Sequence, residues 1–166
     1  MGFDVQILPV TGAGVVDLEA ARSLINAETL LVSVQGANNE LGTLQPVKQI
    51  AQIAHQHGAL MHCDGAQVVG KIAVDVEDWD VDLLTLSAHK FYGPKGVGAL
   101  WARGGKRAPL LPLWPGAHEG GLRGGTLPTP LLVGMGEAAR LVRAELGEDG
   151  ARLQQMRDKM EGELLS

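Results

Sequence analysis

Short apolar runs that alternate with helix-like segments constrain the fold of this chain more than any other feature of its sequence. Between two such runs, Val47, Ile50 and Ile53 recur at helical spacing after Pro46 and before Gly58. Strands that alternate with helices form a mostly parallel sheet with helices on its faces. We therefore predict an α/β fold of this kind, in which ligands bind beyond the carboxyl ends of the strands. The predicted strands lie at residues 30–34, 59–63, 83–86 and 97–102.

Further elements are predicted towards the two ends of the sequence. Residues 5–8 form a short candidate strand, and Asp17 can cap a helix that continues to about Ile25. A Pro- and Gly-rich segment at residues 108–125 is predicted to be a long loop, and loops of that length are often functional. Helical patterns follow it at residues 130–146 and 150–165.

The composition argues against several classes of function. A net charge of −5 without a basic stripe disfavours nucleic acid or an anionic membrane as the main partner. The single cysteine, Cys63, excludes an internal disulfide and fits a reducing compartment. Because the charged Asp4 stands so near the first residue, we expect no N-terminal signal sequence. No uncharged apolar run is long enough to span a bilayer. We expect a soluble, cytoplasmic protein that is a segment of a longer chain.

A lysine stands just beyond the third of the predicted strands. The apolar run at residues 81–86 leads directly into residues 87–90 (SAHK) and then into the turn-rich segment 91–98. A lysine at the exit of a buried strand can be partly desolvated, and its neutral amine then forms a Schiff base with a carbonyl group. The alternative is a surface lysine on a loop. Lys90 is therefore a candidate catalytic residue.

Polar side chains also follow the two preceding strands. Asp64 follows one strand as a candidate buried carboxylate, and a carboxylate there can pair with the protonated nitrogen of a pyridine ring. Gln67 could bind the phenolic oxygen of the same ring, but Asp64 could equally cap a short helix. Asn38 and Asn39 follow the other strand, where asparagine either builds a turn or directs its amide to a ring. These side chains are candidate cofactor contacts.

The long loop ends in residues 123–126 (RGGT), which could bind an anion. Backbone amides made accessible by glycine, together with the guanidinium of Arg123 and the hydroxyl of Thr126, suit a phosphate group. The alternative is an ordinary flexible loop. By itself the motif does not decide between the two.

A cluster of His55, His57, His62 and Cys63 superficially resembles a set of metal ligands. His55 and His57 are two residues apart near a helix end, however, so they do not share a helix face. Clusters of this kind are often incidental. We therefore predict no metal site.

Taken together, these segments resemble those of one enzyme family. The chain is similar to the cysteine desulfurases, class V aminotransferases of the fold type I pyridoxal phosphate (PLP) enzymes, along nearly its whole length. The resemblance implies a partial PLP-binding large-domain core in residues 1–146 and a C-terminal helix in residues 147–166 that leads to an absent small domain. It is carried by residues 37–43 (ANNELGT), 62–67 (HCDGAQ), 69–71 (VGK), 82–87 (DLLTLS), 88–100 (AHKFYGPKGVGAL) and 123–126 (RGGT).

The resemblance assigns roles around the cofactor ring. Lys90 would form the Schiff base with PLP and later move the substrate proton. Asp64 would hold the pyridinium nitrogen, while Gln67 and Asn39 would contact the phenolic-oxygen side of the ring.

The resemblance also implies a phosphate site and a reaction. Ser87 and His89 would bind the phosphate, and Thr126 would do so across the interface of a homodimer. The substrate would be L-cysteine, which is converted to L-alanine. The sulfur would remain as a persulfide for iron–sulfur clusters or thionucleosides, with an acceptor protein such as an iron–sulfur scaffold.

One departure from the family bears on activity. The family's catalytic cysteine lies on a loop downstream of the segment RGGT, beyond the residues of this chain. Cys63 does not match that position and is interpreted as a small buried hydrophobic residue. We expect the chain alone not to release sulfur. Alternative interpretations are an inert, truncated PLP-fold module and a related class V aminotransferase or selenocysteine lyase.

Overall fold

The computed structural model describes residues 2–166, which form a four-stranded sheet with helices against it. The sheet order is β1-β2-β3-β4, with the first three strands parallel and β4 antiparallel to β3. The predicted α/β fold with a mostly parallel sheet is confirmed. The elements are α1 (Leu18–Leu24), β1 (Leu31–Gln35), α2 (Val47–Gln56), β2 (Leu60–Asp64), β3 (Leu83–Ser87), a 3₁₀ turn (Ala88–Phe91), β4 (Gly98–Ala102) and α3 (Thr129–Leu165).

The two faces of the sheet differ in burial. Side chains alternate along each strand, so that Val32, Met61 and Cys63 point to one face and are buried. The apolar stripe of α2, centred on Ile50 and Ala54, joins these side chains in a single core. The opposite face is more accessible and carries polar side chains, which are described with the candidate site below.

The predicted helix boundaries around the sheet are confirmed. Asp17 caps α1, and its Oδ1 accepts the backbone N–H groups of Glu19 and Ala20 at 2.9 and 3.1 Å. Pro46 stands at the N-cap of α2. Gly58 follows the end of that helix at a φ of 76°, where glycine is favoured because it has no Cβ.

The prediction of two C-terminal helices is wrong, because α3 runs unbroken for 37 residues. An isolated glycine costs a helix only about 1 kcal/mol, and no proline accompanies Gly147 or Gly150. An ion pair between Asp149 and Arg152, at 2.8 Å, lies in the stretch predicted to be a break. The predicted domain boundary after residue 146 therefore falls inside one continuous helix, and the division into two domains stays a prediction.

The prediction of a strand at residues 5–8 is also wrong. Val5 and Ile7 are highly exposed, and the β pairing described nearby is an isolated bridge between Val10 and Val16. Apolar alternation alone does not make a strand, since its backbone groups need a partner strand. Within residues 2–166, no helix combines the length and the apolar character needed to cross a membrane.

Candidate active site

The carboxyl ends of the three parallel strands lie side by side at one edge of the sheet. Gln35 pairs with Asp64 in register, and Asp64 pairs with Thr85. Just beyond the strands, the N–H of Gly36 donates to the carbonyl of Asp64, and the N–H of Gly65 donates to the carbonyl of Thr85, both at 2.8 Å. The loops that carry the predicted site residues of all three strands therefore leave the sheet together.

Asp64 is exposed at this edge, so the expectation of a buried carboxylate is wrong. It is the last residue of β2 and lies on the accessible face of the sheet, as His62 does. Its Oδ1 accepts the N–H of Ala66 at 3.0 Å and the hydroxyl of Thr85 at 3.5 Å. The first contact makes Asp64 the start of the turn that leads to Gln67, which is partly exposed. The carboxylate thus shapes the loop and remains accessible to a ligand.

Lys90 lies on the 3₁₀ turn that follows Ser87 directly. Ala88 and Phe91 are buried, while His89 and Lys90 are exposed. Because a 3₁₀ helix has about three residues per turn, buried residues three apart share one face and the residues between them point outwards. The expected desolvation of Lys90 is therefore wrong for the residues described, and the turn instead leaves Lys90 exposed just beyond β3.

Lys71 is a neighbour of Lys90 to which the sequence assigned no role, although it belongs to the segment VGK. Its Nζ donates to the backbone carbonyl of Lys90 at 3.0 Å. Burial, followed by the positive charge of Lys90, lowers the pKa of Lys71 below its usual 10.5. The preceding Gly70 has a φ of 79°, and a Cβ there would lie 2.5 Å from Cβ of Phe91. A tight contact thus holds the turn that carries Lys90.

The loop after β1 is a turn built by Asn38. Its Oδ1 accepts the N–H groups of Glu40 and Leu41 at 2.9 Å, and its own N–H donates to the carbonyl of Thr43. The turn interpretation is therefore confirmed for Asn38. The next residue, Asn39, is exposed on this turn, and its contact with a cofactor ring stays a prediction.

None of the contacts described links Thr126 to the other predicted site residues. His118 and Arg123 exchange two backbone hydrogen bonds of 3.1 Å in the preceding loop. A Cβ on Gly116 would lie 2.3 Å from Cα of Gly124, so this close crossing requires glycine. Thr126 is exposed two residues before Pro128, the N-cap of α3. Its predicted role in phosphate binding across an interface remains a prediction.

The four residues considered as metal ligands do not come together in the structure. His55 contacts Asp82 at 2.8 Å and Asp80 at 3.1 Å, whereas His57 is exposed. His62 and Cys63 point to opposite faces of the sheet, since they are adjacent in β2. Among the residues described, no group of three or more His, Cys, Asp or Glu side chains is arranged to hold a metal ion.

The cysteine is fully buried, as interpreted from the sequence. Burial, followed by the negative charge of Asp64, raises the pKa of Cys63 to about 12. Because the thiolate is the reactive form, the thiol is inert near neutral pH. Cys63 is therefore a packing residue of the core.

Known proteins resemble this chain in sequence and in structure. A sequence model of the family described as Aminotransferase class-V matches residues 1–166. The cysteine desulfurase IscS of Ehrlichia chaffeensis is 46% identical over 167 residues, which cover 98% of this chain and 40% of that protein. A solved structure described as a NifS-like protein is 41% identical, with a TM-score of 0.92, over 99% of this chain and 45% of the other.

A further solved structure is described as SspA in complex with cysteine. It is 44% identical, with a TM-score of 0.80, over 84% of this chain and 40% of the other. The chain thus spans less than half of the length of each of these relatives. The family match covers every residue, and the motifs at the carboxyl edge of the sheet lie within it. The chain therefore belongs to the class V aminotransferase family.

Proposed function

We propose that this chain is the cofactor-binding core of a PLP-dependent cysteine desulfurase. Class V aminotransferases and cysteine desulfurases depend on PLP, and a relative at 46% identity carries the name cysteine desulfurase. The observation that carries the proposal is the placement of Lys90 and Asp64. Asp64 ends β2 and Lys90 follows the neighbouring parallel strand β3, at the carboxyl ends of the strands, where ligands of such sheets bind.

The side chains at this edge fit the chemical groups of PLP. The Asp64 carboxylate is accessible and suits a protonated ring nitrogen. The amides of Gln67 and Asn39 can donate to a phenolic oxygen, and the hydroxyl of Ser87 and the imidazole of His89 can donate to a phosphate. The ring nitrogen, the phenolic oxygen and the phosphate therefore each have a partner of matching chemistry at the ends of β2 and β3 or in the segments that follow β1, β2 and β3.

Lys90, Lys71 and Asp64 would each have a separate role in the reaction. PLP, when bound, supplies an electron sink that stabilises negative charge on the substrate carbon. Lys90 would hold the cofactor through its amine, and the same Nζ could move a proton at the substrate carbon. Lys71 holds the backbone of Lys90 through its 3.0 Å hydrogen bond. Asp64 would favour the protonated form of the ring nitrogen, because a nearby carboxylate favours the charged form of its partner.

The overall reaction requires a thiol that this chain does not provide. The C–S bond of L-cysteine breaks, the sulfur joins a thiol as a persulfide, and a proton replaces it on the carbon of L-alanine. Cys63 cannot supply that thiol, since it is buried and its pKa is raised to about 12. The persulfide therefore forms on a cysteine outside these residues. The sulfur acceptor is proposed to be a protein such as an iron–sulfur scaffold.

Assembly and location are parts of the same proposal. The predicted reach of Thr126 to a partner's phosphate site implies a homodimer, and its place outside the contacts of the other site residues is consistent with that role. A single buried thiol suits a reducing compartment such as the cytoplasm.

Trapping of PLP on the chain tests the proposal. We expect the chain with added PLP to develop a visible absorption band, and borohydride to fix the cofactor on Lys90, as identified by mass spectrometry of peptides. Lys90→Ala should lose both signals. Lys95→Ala, an exposed lysine of the following loop, is the matched control and should keep them. A folded chain, as judged by circular dichroism, that traps no PLP at Lys90 would favour the inert-module alternative.

A further inference from the structure

A row of polar side chains crosses the accessible face of the sheet and ends at Asp64. Ser33 lies on β1, His62 on β2 and Thr85 on β3. Oγ of Ser33 is 2.7 Å from Nδ1 of His62, and Nε2 of His62 is 3.3 Å from Oγ1 of Thr85. Oγ1 of Thr85 is 3.5 Å from Oδ1 of Asp64. Four side chains from three strands are therefore linked in one hydrogen-bonded series.

The series has one self-consistent direction. An ionised Asp64 can only accept, so the hydroxyl proton of Thr85 points to it. The oxygen of Thr85 then accepts from Nε2–H of His62. A neutral imidazole with its proton on Nε2 has an acceptor at Nδ1, which takes the hydroxyl proton of Ser33. Every donor along the series thus points towards the carboxylate.

The environment of His62 supports the neutral imidazole that this direction requires. Burial lowers the pKa of His62 below 6.5, and the opposing effect of the negative charge of Asp64 is smaller. Near neutral pH the ring is therefore uncharged. A neutral ring leaves the negative charge of Asp64 uncompensated, so that it stays available to a cationic group of a ligand.

We propose that Ser33, His62 and Thr85 are positioning residues that orient the Asp64 carboxylate for the cofactor ring. The inference rests on the proposed function, because the ring nitrogen is the group that Asp64 would receive. Both donors described at Asp64, the N–H of Ala66 and the hydroxyl of Thr85, meet Oδ1. Oδ2 would then be the oxygen left for the ring nitrogen. The last link is long for a hydroxyl–carboxylate bond, so the series fixes orientation more than it adds strength.

The tautomer of His62 is the first test, and it needs no cofactor. In the chain labelled with ¹⁵N, we expect the ring nitrogens of His62 to report a single form with the proton on Nε2. His57, which is exposed, serves as the control and should report a mixture. Thr85→Val removes the acceptor of Nε2–H and should shift His62 towards a mixture as well. A proton on Nδ1 of His62 in the unaltered chain would overturn the proposal.

The affinity for PLP is the second test. Thr85→Val should weaken binding about twofold, the equivalent of about 0.5 kcal/mol, which is the lower end for a hydrogen bond because the link to Asp64 is long. Thr85→Ser keeps the hydroxyl and should restore the affinity. Equal affinity in Thr85→Val and the unaltered chain would refute the positioning role. If the unaltered chain itself binds no PLP, the proposed function fails, whereas the His62 tautomer still decides whether the series exists.

Discussion

Replacing Gly70 by alanine tests the contact that holds the turn carrying Lys90. The added Cβ would lie 2.5 Å from Cβ of Phe91 and 3.2 Å from Cγ1 of Val142, and neither atom sits at the end of a long flexible side chain. Gly70 also has a φ of 79°, where an L-residue is strained by about 1–2 kcal/mol. Overpacking of a filled site adds about 1–3 kcal/mol. We expect a total loss of about 2–5 kcal/mol in the free energy of unfolding.

A second glycine separates the two contributions. Gly58 has nearly the same φ, 76°, but no heavy atom lies within 4 Å of an added Cβ. Gly58→Ala should therefore cost only the backbone strain of about 1–2 kcal/mol. Urea unfolding followed by circular dichroism measures both variants. If Gly70→Ala and Gly58→Ala lose equal stability, the steric argument at Phe91 is refuted.

Three further predictions concern His55, Ile50 and Cys63. Burial lowers the pKa of His55, but Asp82 and Asp80 outweigh it and raise the pKa above 6.5. The stability that the charged His55 gains from these two carboxylates is complete below about pH 6.5 and is lost as the pH rises through its raised pKa. His55→Gln should therefore destabilise the chain more at about pH 6 than at about pH 9, as measured by urea unfolding. Ile50→Ala should cost about 2–5 kcal/mol in the same assay, while Leu111→Ala, 92% exposed, should change little. Cys63 should resist iodoacetamide in the folded chain and react in urea, as read by mass spectrometry.

The sequence predicted the sheet and the starts of α1 and α2 well because their signals are local. Runs of β-branched and aliphatic residues mark the strands. Pro46 and Gly58 mark the start and the end of α2. The side chain of Asp17 caps α1 within three residues of its own position. Such interactions depend little on the rest of the fold, so they can be inferred from the chain alone.

The features that were mispredicted or missed depend on packing between distant segments. Exposure of Asp64 and Lys90 reflects which elements cover the sheet edge, and that is not encoded in the strand pattern. The contact of Lys71 with the carbonyl of Lys90 joins residues 19 positions apart. The row from Ser33 to Thr85 requires the register of three strands. Sequence spacing alone cannot supply these relations.

The length of α3 gives the molecule a mechanical property. Its buried residue, Ala138, packs beside Phe91 and Ala88, whereas residues 151–166 are all exposed. At a rise of about 1.5 Å per residue, the stretch from Ala138 to Leu165 extends about 40 Å from that contact. A tilt of about 10° at the contact would therefore carry the far tip through about 7 Å. Under such a tilt the helix would act as a lever that pivots on the cluster of Ala88, Phe91 and Ala138, and a small shift there would be amplified at Leu165.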